Sequence, residues 1–111
     1  MNNQKGGVMI SELTEENFEQ ITKQGKVIID FYADWCGPCK IMEPVLEELS
    51  KEFRDINFFK INVDSNQQPA LIYAVRSIPT IIFLKNGSEV DRIIGVTYED
   101  EFKKRIKQAF K

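Results

Sequence analysis

Histidine is absent from this chain of 111 residues, and cysteine occurs only twice. A closed tetrahedral zinc site built from Cys and His therefore cannot be completed in one chain, and only a dimer sharing ligands could supply it. An excess of basic residues is also missing. Lys and Arg number 15 against 17 Asp and Glu, a net charge of -2, which argues against nucleic acid or an anionic membrane as the main partner. No apolar run approaches membrane-spanning length. The segment Met1 to Ile10 is polar and glycine-bearing, without the apolar core of a signal peptide. A cytoplasmic location is the default expectation, and there a C-x-x-C pair is catalytic or metal-binding more often than a permanent disulfide. Repeats, linkers and low-complexity stretches are lacking too. What is present, with a hydrophobic fraction of 42%, reads as one domain over residues 8–111 behind a loose tail, residues 1–7. Met9 offers a second start.

Both cysteines fall in Trp35-Cys36-Gly37-Pro38-Cys39-Lys40. Before them, Val27 to Tyr32 is rich in β-branched and aromatic residues and predicts a buried strand. After them, Ile41, Met42, Val45, Leu46, Leu49 and Phe53 recur at helical spacing. The pair thus sits where a strand ends and a helix begins. The first amides of a helix lack partners and its dipole puts partial positive charge there, so a thiolate at Cys36 is stabilised. Cys39, one turn on, lies on the same side within disulfide reach. Gly37 permits a tight bend, and Pro38 is tolerated in a first helical turn. Such a dithiol closes and reopens with little backbone movement. A structural staple fits less well, because closing four residues removes roughly 2 kcal/mol of unfolded-state freedom against about 3 for fifteen. Two inert core cysteines also fit poorly, since Gly-Pro is an odd insert for a core. Spacing and context favour redox chemistry.

Along the rest of the chain, Val8-Met9-Ile10 predicts a short strand. Thr14 reads as an N-cap, with Glu15 and Glu16 in the first turn and Leu13 and Phe18 as a hydrophobic staple. That helix carries Phe18 and Ile21 inward and stops near Gly25. In the strand that follows, Asp30 is the anomaly. A carboxylate among apolar neighbours is costly to bury ionised, so it must titrate high or find a partner. Ile28 and Tyr32 share its face by alternation, which argues against an edge-strand position facing solvent. Pro44 interrupts the next helix and is expected to kink it, with Glu47 and Glu48 on a solvated face. Phe58 to Val63 makes a third strand, so strand, helix and strand form a right-handed βαβ unit with parallel strands. Lys60, the one basic residue inside a central-looking strand, has two readings. It snorkels at the end of the sheet, or it acts beside Asp30.

Asp64 to Pro69 is turn-like, Ala70 to Ala74 a short helix, and Ile81 to Leu84 a strand. Asn86-Gly87 is a strong hairpin signal, so Glu89 to Ile94 returns antiparallel and Gly95 ends that strand. Thr97 to Asp100 is a capping-box pattern opening a last helix. Phe102, Ile106 and Phe110 form its buried stripe, and Lys103, Lys104, Arg105 and Lys107 a solvated face.

Asp30-Phe31, the hexapeptide Trp35 to Lys40, Pro44, Lys60, Asp64, Ile78-Pro79-Thr80, Asn86-Gly87 and Gly95 stand in this order within a βαβαβαββα succession. This pattern resembles the thioredoxin family from about Leu13 to the C-terminus. The resemblance implies an α/β thioredoxin fold, with a central five-stranded mixed sheet flanked by four helices. It also implies a cis peptide bond at Ile78-Pro79, a form almost confined to X-Pro. By the same resemblance Cys36 is the attacking thiol, Cys39 the resolving one, and their disulfide the redox-active bond. Asp30 becomes a buried acid/base with Lys60 close to it. Trp35, Gly37, Pro38, Ile78, Pro79 and Gly95 become an apolar platform that accepts substrate. Three positions depart from the commonest pattern. Tyr32 stands where many members carry tryptophan, Ser77 where glycine is frequent, and Val96, bulkier at the substrate rim, where alanine is frequent.

The resulting expectation is a monomeric cytoplasmic protein-disulfide reductase with no bound cofactor and no metal. Its substrates are protein disulfides, and the resemblance implies a flavin-dependent thioredoxin reductase as electron donor. A disulfide oxidant or isomerase is the competing enzyme reading. Gly37-Pro38 argues against it, because it supplies no charged or imidazole side chain to stabilise the thiolate further. A non-catalytic binding module using the apolar rim is the reading from another class. Trp-Cys-Gly-Pro-Cys also disfavours a glutaredoxin.

Overall fold

Five strands and four helices follow one another along residues 10–111, the part of the chain that the computed structural model describes. In chain order they are β1 (Ile10–Leu13), α1 (Phe18–Thr22), β2 (Lys26–Tyr32), α2 (Gly37–Glu52) and β3 (Asn57–Asn62). Then come α3 (Gln67–Ile72), β4 (Thr80–Lys85), β5 (Ser88–Ile94) and α4 (Glu99–Ala109). The strands form one sheet in the order β1-β3-β2-β4-β5. β1 and β2 both pair parallel with β3, whereas β2–β4 and β4–β5 are antiparallel. This is the mixed sheet of the thioredoxin fold that the resemblance implies. β2 lies at its centre, and its near-continuous apolar run is what a strand covered on both faces requires.

Each face of the sheet has its own core. On one, Ile28, Phe58, Ile81, Phe83 and Ile93 pack against Met42, Leu46 and Leu49 of α2 and against Phe102, Ile106 and Phe110 at α4. The Phe83 ring stacks on Phe102 and Phe110 at 5.7 and 5.9 Å between centroids, an arrangement worth ~0.5–1.5 kcal/mol per pair beyond area burial. On the other face, Val27, Ile29, Phe31, Ile61, Ile82 and Leu84 pack with Leu13 and Phe18. The stripe read for the last helix is therefore the buried one.

Several boundaries differ from the expectation, each for a local reason. Val8 and Met9 of the expected first strand, and the tail 1–7, lie outside the described residues; β1 instead continues through Leu13. Thr14 does not cap α1. The Asn17 side chain accepts the Thr14 N–H at 2.9 Å, closing a turn that delays the helix to Phe18. With Phe18 and Thr22 facing inward one turn apart, Ile21 falls off the buried face and is exposed. Ile41 is exposed likewise, because Met42, Leu46 and Leu49 set the inward face of α2. α2 runs on past Pro44 to Glu52.

The short helix α3 begins at Gln67 rather than Ala70. Pro69 lies in its first turn, where a missing N–H leaves no helical bond unmade. Tyr98, not Thr97, is the N-cap of α4 and makes no side-chain cap bond; Glu99, Asp100 and Glu101 complement the helix dipole instead. Nor do all four basic residues of α4 face solvent. Arg105 clamps the Asp91 carboxylate with two hydrogen bonds of 2.8 Å, and Lys103 bridges Glu52 and Glu99.

The Asn-Gly signal produces the hairpin. Asn86 and Gly87 have φ of 51° and 85°, both positive as a type I′ turn demands. The tip is tied down by Asn86 N–H donating to Gly25 O and Gly25 N–H donating to Asn86 Oδ1, each at 2.9 Å. A Cβ at Gly87 would meet Lys23 O at 3.5 Å, so space is adequate and the backbone conformation is the obstacle. Gly87→Ala is expected to destabilise the fold by about 1–2 kcal/mol, read as a lower urea midpoint with an unchanged slope.

Candidate active site

The end of β2 and the start of α2 hold both cysteines. Cys36 is the N-cap of α2, in extended conformation, with Gly37 and Pro38 in the first turn. Its Sγ accepts the Cys39 N–H at 3.1 Å. The two residues are joined by a disulfide, with Cα atoms 5.3 Å apart. In this oxidised form the two residues are equally buried, Cys36 being 3% and Cys39 2% accessible. Unequal exposure along the first helical turn is the sequence expectation, and this form does not show it; the two cysteines differ in their contacts. Cys36 Sγ takes the helix amide and sits 3.8 Å from Ile78 O. Ala33, Tyr32, Val63 and Ile78 pack around the pair.

The loop facing the disulfide contains the Ile78-Pro79 bond, which is cis. Pro79 is buried, and its carbonyl accepts the Gly95 N–H at 2.9 Å. Gly95 has φ 89°, a conformation open to glycine and costly for other residues. Thr80 Oγ1 donates to Ser77 O at 2.6 Å, steadying the approach to the cis bond.

Trp35 stands out from this surface with 71% of its area accessible, and its Nε1–H donates to Asp64 Oδ2 at 2.8 Å. Beside it runs an open groove of about 340 Å³, lined by Trp35, Val63, Val75, Arg76, Ser77 and Ile78 among others. Of the six expected platform residues, this groove joins Trp35 and Ile78. Gly37 and Pro38 are exposed at the helix start, while Pro79 and Gly95 are linked to each other through the backbone. Val75 and Arg76 were not legible as groove residues, because their place depends on where α3 ends.

Asp30 lies on the face of the sheet that α2 covers, and only 3% of it is accessible. Its Oδ1 has no hydrogen-bond partner. Burial pushes its carboxyl up to about 7; Lys60 opposes that shift, while Glu43 and Glu12 add to it. Lys60 is the register partner of Asp30 on β3, so the structure brings these two together in the sheet. Lys60 Nζ nevertheless rests 5.4 Å from the centroid of the Tyr32 ring. Glu12 and Glu43 complete the charged surroundings of Asp30, and the sequence pattern did not single them out. Glu12 falls in register with Lys60 only because β1 extends beyond Ile10.

Among the described residues, no group of three or more His, Cys, Asp or Glu is placed to hold a metal, and no helix is long and apolar enough to cross a membrane. A buried disulfide at a helix N-terminus, a cis-proline loop against it and a carboxyl held near neutrality make an arrangement suited to thiol–disulfide exchange.

Comparison with known proteins agrees. The family described as Thioredoxin matches residues 9–108. A thioredoxin of Chlamydia caviae is 44% identical over 100 residues, covering 90% of this chain and 98% of its own length. A thioredoxin of Bacillus subtilis is 47% identical over 87 residues, with 78% and 84% covered. With the fold, the paired cysteines and these relatives in agreement, the chain belongs to the thioredoxin family and is a thiol–disulfide oxidoreductase, a protein-disulfide reductase.

Proposed function

We propose that the chain reduces its client disulfides with Cys36 as the attacking sulfur and Cys39 as the resolving one. The observation that carries this assignment is Cys36 as the N-cap of α2, its sulfur accepting the Cys39 amide. In the dithiol form the same amide and the positive helix end favour negative charge on Cys36. The Cys36 thiolate attacks one sulfur of a client disulfide. A Cys36–client bond forms, the client S–S bond breaks, and the second client sulfur leaves as a thiolate. Cys39 then passes its proton to Asp30 and attacks Cys36 Sγ. The mixed disulfide breaks, the Cys36–Cys39 bond forms, and the client departs with both sulfurs reduced. Asp30 suits this role because a carboxyl held at about 7 is ionised in part of the population near neutral pH. Lys60 is its cationic neighbour.

The client segment lies across Trp35, Gly37, Pro38, Ile78, Pro79 and Gly95. Family membership supports a flavin-dependent thioredoxin reductase as the source of the two electrons that reopen the disulfide. The same membership supports a cytoplasmic setting and action as a monomer. The test is insulin-disulfide reduction by dithiothreitol with catalytic amounts of the chain. Insulin should precipitate well before the dithiothreitol control, and a time course equal to that control would overturn the proposal.

A further inference from the structure

Three adjacent strands place a row of charges on one face of the sheet, with Asp30 buried at one end and Glu12 exposed at the other. Glu12 on β1, Lys60 on β3 and Asp30 on β2 are in lateral register and therefore point to one face of the sheet. Tyr32, two residues beyond Asp30 on the same strand, points to that face as well. Its hydroxyl donates to Glu12 Oε2, which fixes the ring from the far side. Lys60 Nζ lies 5.4 Å from the centroid of that ring, within the reach of a cation–π contact. Among the described residues, no carboxylate oxygen pairs with Lys60, although Asp30 is its strand neighbour and has an unpartnered oxygen. The cation rests on the aromatic ring rather than on the orphan carboxyl.

We propose that Tyr32 is a positioning residue: its ring, anchored through the hydroxyl by Glu12, holds the Lys60 ammonium away from the Asp30 carboxyl. The physical balance favours this. A partly desolvated ammonium over an aromatic face is attracted by the ring quadrupole. Contact with Asp30 would instead draw the ammonium under α2, out of water, at a desolvation cost. Kept at a distance, Lys60 only moderates what burial does to Asp30. The other groups facing that carboxyl are Glu12 from β1 and Glu43 from α2, whereas its register partner on β4 is the apolar Ile81. The proposal rests on the reading of Asp30 as proton acceptor only for its bearing on catalysis.

The experiment follows the Asp30 side-chain carboxyl ¹³C shift against pH in the oxidised protein, where the cysteines do not titrate. In Tyr32→Leu the ammonium is released toward Asp30, and the midpoint should fall by about one pH unit, a tenfold change in proton affinity. Tyr32→Trp keeps an aromatic face and should hold the midpoint near that of the wild type. In a Lys60→Met background, Tyr32→Leu should shift the midpoint no further. An unchanged midpoint in Tyr32→Leu overturns the proposal. So does a shift that persists without Lys60, which would trace to water entering around Asp30. The pH profile of mixed-disulfide resolution, measured on the same variants, separates the two levels. If the titration moves and the resolution profile does not, Tyr32 positions Lys60 as stated and Asp30 is not the proton acceptor.

Discussion

Cys36→Ser is expected to bring insulin reduction down to the dithiothreitol background, a complete loss of catalysed turnover. A serine hydroxyl is not ionised near neutral pH, and its oxygen cannot enter a disulfide exchange, so the first bond to the client never forms. The helix amide that Cys36 Sγ accepts stabilises a thiolate but cannot make an alkoxide accessible. Cys39→Ser should also fail to turn over, for a different reason. Its Cys36 still attacks, yet nothing within the chain then displaces the client. Stopped-flow measurement of the first step separates them: Cys39→Ser should keep it, and Cys36→Ser should lose it along with turnover. Catalysed turnover by Cys36→Ser would show that Cys36 is not the nucleophile.

Asp30→Asn should make the protein more stable and a poorer catalyst at once. The carboxyl has an ordinary value of 3.8 when the chain is unfolded and is pushed up to about 7 by burial when folded. Below 3.8 both states carry the proton and the residue has no pH-dependent effect. Between 3.8 and about 7 the unfolded chain ionises first, so stability falls as pH rises; above about 7 both states are ionised and the loss stops growing. That span corresponds to about 4 kcal/mol at most. Asparagine carries no charge but buries an amide beside an unpartnered position, at about 1–3 kcal/mol. The expected net gain is therefore about 1–3 kcal/mol at about pH 8; at about pH 4 the ionisation cost has nearly gone and the amide cost leaves the variant about 1–2 kcal/mol less stable than the wild type. Urea unfolding at the two pH values reads it directly. Resolution of the mixed disulfide should slow in the same variant, because Cys39 loses its proton acceptor. A variant that is less stable at both pH values and equally fast would make Asp30 an ordinary structural residue.

The candidate site residues were legible because they break local rules. Asp30 is a carboxylate in an apolar run, and Cys36 and Cys39 bracket a Gly-Pro pair at a helix start. The hairpin was legible because Asn86 and Gly87 carry their own backbone preference. Positions set by tertiary register were not. Tyr32 and Glu12 meet only because β1 and β2 flank β3 in the sheet, and local periodicity carries no information about strand order. The same holds for Arg105, whose guanidinium finds Asp91 across the β5–α4 turn and so leaves the solvated face its helical spacing implied. Thr14 failed as a cap because the Asn17 side chain closes a turn on its amide, and Thr97 because α4 starts at Glu99, one residue too late for Thr97 to be its N-cap.

Unequal roles for the two cysteines are tested most directly by trapping. Cys39→Ser and Cys36→Ser, each fully reduced, are mixed with a peptide disulfide, and the products are mapped by mass spectrometry without reductant. Cys39→Ser should accumulate a one-to-one adduct on Cys36, while Cys36→Ser should remain unmodified over the same period. Equal adducts on both variants, or an adduct on Cys39 alone, would contradict the assignment.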